Sequence, residues 1–117
     1  PDNKAPLATT EAVYPLNGAT NVDRELRFAW KEAVDPDGDK LTYILEYSTD
    51  QKNWTTISKD AKNNTEGIKS TGFADGSTLK ANTTYYWRVI SWDMFDAKSD
   101  PSQIFSFTTC RRHLARW

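Results

Sequence analysis

The sequence predicts an all-β chain folded as a seven-stranded antiparallel β-sandwich, and three observations predict it. Apolar residues recur with a period of two in short runs, among them Leu26/Phe28/Trp30, Leu41/Tyr43/Leu45/Tyr47 and Tyr85/Trp87/Val89. That period marks strands with one buried and one wet face. The runs are separated by clusters of Gly, Pro, Asn, Asp and Ser at strand-and-turn spacing, and no useful length has helical periodicity. Five Trp, five Tyr and five Phe make up 13% of 117 residues. Large rings of this kind fill a small inter-sheet core even though the apolar share is only 38%.

The elements follow in order. Residues 1–11 hold two Pro and several small polar residues and read as a linker or lead-in segment. The sandwich is expected over residues 12–109. Ala12-Val13-Tyr14-Pro15 reads as a short edge strand, where a proline is tolerated, and Leu16-Asn17-Gly18 as a turn. Glu25–Lys31 alternates cleanly and reads as a strand closed by Trp30. Asp35-Pro36-Asp37-Gly38-Asp39 is turn chemistry leading into a strand at Leu41–Tyr47. A polar turn over Ser48–Asn53 precedes a short strand at Trp54–Ile57. Residues 58–78 are mostly loop, with a strand near Ile68–Phe73. Leu79–Tyr85 turns into the strong strand Tyr85–Trp92, Asp93–Ser102 is loop, and Gln103–Thr109 is the last strand. The expected core is Leu26, Phe28, Trp30, Leu41, Tyr43, Leu45, Tyr47, Leu79, Tyr85, Trp87, Val89, Phe105 and Phe107. Residues 110–117 form a basic tail placed outside the fold, the start of a connection to a further domain.

Charge and composition narrow the function classes. Fifteen basic groups face 16 acidic ones, a net of −1. Without the three Arg of the tail, 12 basic groups face 16 acidic, a net of −4. An acidic body argues against nucleic acid as a partner. One Cys excludes an internal disulfide and a cysteine-rich metal centre. The single His stands in the tail, so nucleophilic chemistry built on Cys and His has almost nothing to use. No stretch approaches the roughly 18 apolar residues of a membrane helix. The chain begins on Pro1 and reads as a piece of a longer protein.

Several segments together resemble a fibronectin type III domain, the immunoglobulin-like sandwich found in bacterial secreted and surface proteins. Trp30 closes the second strand as the core Trp of that family does, and Tyr43, Leu45 and Tyr47 match its third strand. Leu79-Lys80-Ala81-Asn82-Thr83-Thr84-Tyr85 is similar to its tyrosine corner, in which the Tyr hydroxyl bonds backbone a few residues upstream. Ala81 stands where the family often has Pro. Tyr85–Val89 and Phe105–Thr109 resemble the last two strands. The resemblance implies a non-catalytic spacer or protein-interaction module of a larger extracellular, surface-anchored or periplasmic protein, with neighbouring domains of the same chain as partners. It implies no reaction and no cofactor.

The candidate sites are few. Asp35, Asp37 and Asp39 alternate around Gly38 and form a candidate calcium loop, since calcium takes carboxylate and carbonyl oxygens. The glycine falls fourth rather than sixth, and a plain polar turn accounts for the same residues. Asp93 and Asp96 belong to the loop expected at the same end of the sandwich. With Asp35 and Asp37 they make the least favoured reading, a small carboxylate-based hydrolase. Tyr86, Arg88, Ile90 and Trp92 share the outward face of their strand beside Ile44. Tyr86, Arg88, Trp92, Met94 and Phe95 are therefore the expected surface for a ligand or partner. That partner is a protein or, in a carbohydrate-binding module, a polysaccharide on Tyr86, Trp92 and Trp54. Arg88 is expected to lie over Tyr86 or Trp92. Three Asn-x-Thr triplets, at Asn53, Asn63 and Asn82, read as turn chemistry.

Overall fold

The computed structural model describes residues 4–9, 11–22, 28–61 and 79–111. Within them two sheets form. β1 (Ala12–Tyr14) pairs antiparallel with β3 (Ala29–Trp30). The larger sheet is made by β2 (Ala19–Val22), β4 (Leu41–Ser48), β5 (Thr55–Ala61), β6 (Thr84–Asp93) and β7 (Phe105–Thr109). Its strand order is β2-β7-β6-β4-β5. The fold is a β-sandwich, with no helix among the described residues.

The alternation of the sequence sets which side chains point inward. Along β6, every second residue from Tyr85 to Asp93 is buried and those between are half-buried. Tyr43 and Leu45 of β4 and Phe105 and Phe107 of β7 turn to the same interior. Trp30 of β3 and Phe28, just before that strand, pack into the same interior. Trp30 meets Tyr43 edge-on at 5.2 Å, and Trp87 lies 5.0 Å from Phe28 and 4.9 Å from Phe105. Burying one such ring contributes roughly 1.5–3 kcal/mol, so this aromatic column carries much of the stability. Leu41 and Tyr47 are only partly buried at its edge, and Ala12, Val22 and Ile57 join the core. Leu26 lies outside the described residues.

β2 was not foreseen, because Ala19-Thr20-Asn21-Val22 buries only Val22 fully and shows no alternation. It exists because the chain crosses from one sheet to the other after the Asn17–Gly18 turn. Gly18 there adopts φ +83°, and Asn17 Oδ1 accepts the Ser106 N–H at 2.9 Å. The crossing sets β2 parallel to β7, the one parallel pair among the described residues. The expected strand over Glu25–Lys31 is seen as Ala29–Trp30, its first part lying outside the described residues, as does the strand expected near Ile68–Phe73.

The tyrosine corner is formed: the Lys80 N–H donates to the Tyr85 hydroxyl at 2.8 Å. Thr109 supports it, its hydroxyl donating to Lys80 O and accepting the Thr83 N–H. Both flanks of the sandwich are tied in. Thr9 is buried and its hydroxyl donates to Lys31 O, while Leu7 N–H donates to Val34 O at 2.8 Å. Cys110 is buried and its N–H donates to Val22 O.

Candidate functional site

The loop between β3 and β4 turns at Pro36–Asp37, with Gly38 at φ +74° and its N–H donated to Asp35 O. The Asp39 N–H donates to Asp35 Oδ2 at 2.6 Å, which folds the loop back on its first carboxylate. Lys4 N–H donates to Asp37 Oδ2. As a result Asp35, Asp37 and Asp39 each direct one carboxylate oxygen to a common point, all within 4.8 Å of one another. Asp35 Oδ1 and Asp39 Oδ2 are buried and accept no hydrogen bond. Burial first, and then the Asp35 carboxylate beside it, push the Asp39 carboxyl up. Two carboxylates this close are relieved either by a shared proton or by a cation.

An open cleft of about 720 Å³ lies against this loop, walled by Glu32, Asp35, Asp39, Lys40 and Tyr43. The Tyr43 hydroxyl accepts the Ala33 N–H, and burial raises its pKa. Glu46, twelfth in sequence from Asp35, points to the other face of β4 and pairs with Arg88, so it takes no part in the loop.

The loop after β6 departs from the expected acidic rim. Asp93 is the last residue of β6 and only 4% exposed. Its Oδ1 accepts the N–H groups of Phe95 and Ala97, so the carboxylate pins a tight turn rather than facing solvent. Of the hydrolase set, Asp35, Asp37 and Asp96 remain near the surface. Met94 and Phe95 stand out from the turn, 68% and 63% exposed.

The outward face of the large sheet carries Tyr86, Arg88, Ile90 and Trp92 as expected, with Ile90 opposite Ile44. It is not a bare aromatic row. Arg88 lies over Trp54, 4.0 Å from the ring centroid, and not over Tyr86 or Trp92. Its Nε donates to Glu46 Oε1 at 2.8 Å. Lys98 covers Trp92 at 5.5 Å. Glu46 and Lys98 were missed in the sequence because only the β4–β6 register and the bridge from Trp92 to Lys98 bring them there.

A family model described as the Rha78A-like, N-terminal immunoglobulin domain matches residues 14–112. The chain belongs to this family. Solved structures with the same fold include the α-L-rhamnosidase of Streptomyces avermitilis complexed with L-rhamnose, at TM-score 0.64 and 17% identity over 91% of this chain. The α-L-rhamnosidase of Dictyoglumus thermophilum aligns at TM-score 0.57 and 20% identity over 94%. The β-1,2-glucanase of Parabacteroides distasonis aligns at TM-score 0.55 and 20% identity over 94%. No curated protein matches the sequence. The Rha78A-like immunoglobulin domain spans only 11%, 13% and 14% of these three longer chains. The immunoglobulin-like sandwich expected from the residues is thus the family found.

Proposed function

We propose that this chain is a non-catalytic accessory domain of a secreted, surface or periplasmic glycoside-hydrolase-like protein, where it spaces and contacts neighbouring domains. The family match carries this reading: an N-terminal immunoglobulin domain is by description one part of a larger protein. The long neighbours sharing its fold are described as a glucanase and rhamnosidases. The acids support it, since Asp93 is spent on a turn and the Asp35 group points its oxygens at itself. A carbohydrate platform fits the outward face less well, because Trp54 and Trp92 are each covered by a cation. The test is to sever the full-length protein after β7 and assay both pieces for glycoside hydrolysis. Activity is expected with the larger piece; turnover by the sandwich itself would sink the reading.

A second reading concerns the β3–β4 loop. Three converging carboxylates with two buried, unpartnered oxygens suit a hard cation, and calcium accepts the irregular oxygen geometry of such a loop. Asp35, Asp37 and Asp39 would hold it, and it would fasten the loop rather than take part in chemistry. Calcium at about a hundredfold over its dissociation constant would stabilise the fold by roughly 2.7 kcal/mol. A melting temperature equal in calcium and in chelator would remove this reading.

A further inference from the structure

Four of the large exposed apolar side chains belong to segments that reach the same end of the sandwich. Leu7 and Val34 are 57% and 61% exposed, and their backbones are joined by the Leu7 N–H to Val34 O bond. Met94 and Phe95 follow Asp93, which stands opposite Leu41 just beyond the Asp35–Asp39 loop. The turn that carries them is fastened. Asp93 Oδ1 takes two N–H groups, Asp93 N–H donates to Ala97 O, and Asp96 N–H donates to Asp93 O. Met94 and Phe95 are therefore held away from the core by a rigid turn. Single exposed apolar residues need no explanation, but an adjacent pair on a fastened turn, with Val34 exposed at the same end, fits an interaction site.

Charge says what kind of surface fits it. Asp35, Asp37, Asp39 and Asp96 lie at this end against Lys4, Lys40 and Lys98, and Lys98 is drawn back over Trp92. Apolar knobs in an acidic surround complement an apolar pocket with a basic rim. We propose that Val34, Met94 and Phe95, within their acidic surround, dock onto a Lys/Arg-rimmed apolar pocket of another domain of the same polypeptide. This rests on the accessory-domain reading, under which most of the chain lies beyond this domain.

Met94 is the only methionine here and reports directly. Oxidation by peroxide, read by mass spectrometry, tracks the exposure of its thioether. With chelator present, Met94 in the full-length protein is expected to oxidise at least about tenfold more slowly than in the 117-residue chain. The full-length variant carrying Asp37→Lys and Asp96→Lys is expected to regain the fast rate. Equal rates in both proteins overturn the docking surface. Protection untouched by the charge reversal overturns the basic rim, and protection that appears only on raising protein concentration shows contact between molecules and overturns the same-chain partner. An accessible Met94 leaves the accessory role standing, because a spacer needs no contact here; only activity residing in the sandwich removes that role.

Discussion

Tyr85→Phe isolates one hydroxyl at the corner where the chain crosses between sheets. The ring stays: Tyr85 is 4% exposed, stacked on Phe107 at 5.7 Å and tilted against Tyr47 at 6.2 Å, and phenylalanine keeps those contacts. What is lost is the acceptor for the Lys80 N–H at 2.8 Å. A net hydrogen bond is worth about 0.5–1.5 kcal/mol, and a stranded buried donor costs about 1–3 kcal/mol. Lys80 is itself exposed, so water relieves part of the second term, and the expected cost is about 1–2 kcal/mol. For a chain of this size that lowers the melting temperature by roughly 4–8 °C. Urea unfolding followed by circular dichroism should show a lower midpoint at unchanged slope. Tyr85→Ala, which also empties the ring site, should cost about 3–5 kcal/mol. A Tyr85→Phe midpoint equal to that of the parent, or as low as that of Tyr85→Ala, would refute the corner as the locking contact.

Other outcomes follow from the same geometry. Arg88→Ala strands the Glu46 carboxylate, only 15% exposed, and uncovers Trp54. It should cost about 1–2 kcal/mol, at the low side for a charged hydrogen bond because water still reaches the pair, and should change tryptophan fluorescence. Gly38→Ala meets no atom within 4 Å but must hold φ +74°, so it should cost about 1–2 kcal/mol from backbone conformation alone, with Gly38→Asn milder in thermal melts. Asp50 has its carboxyl held well below the usual range by the Asn53 and Lys52 N–H groups, the Asn53 side chain and Ser48. A depressed folded pKa gives stability that is complete above the unfolded value near 4 and lost as pH falls below it. The melting gap between parent and Asp50→Asn should therefore narrow from pH 5 to pH 2; a constant gap would contradict the capping role.

The sheet that carries the fold was legible because period-two alternation is a local signal. Leu41–Tyr47 and Tyr85–Trp92 lie close to β4 and β6; of their expected inward residues Tyr43, Leu45, Tyr85, Trp87 and Val89 are buried, while Leu41 and Tyr47 are partly buried. β2 was hidden because its pairing with β7 depends on a residue contact almost ninety positions away in the sequence, Ser106 to Asn17. The site was only half legible for a similar reason. The Asp35–Asp39 convergence follows from a five-residue turn that folds on itself. The burial of Asp93 does not: whether a carboxylate faces solvent or caps the next turn depends on where the strand ends, and β6 runs one residue further than its pattern suggested. The partners of Trp54 and Trp92 depend on register across strands, which no single stretch of sequence records.

Under the proposed function, this domain accompanies catalysis without performing it. The most direct measurement is the kcat of the full-length protein with Asp35, Asp37 and Asp96 together replaced by Asn. A general acid or base contributes about 10²–10⁴-fold. A loss of less than about tenfold is expected, at the small end of what an altered domain contact produces. A fall of 10²-fold or more in a protein whose melting profile is intact would contradict it.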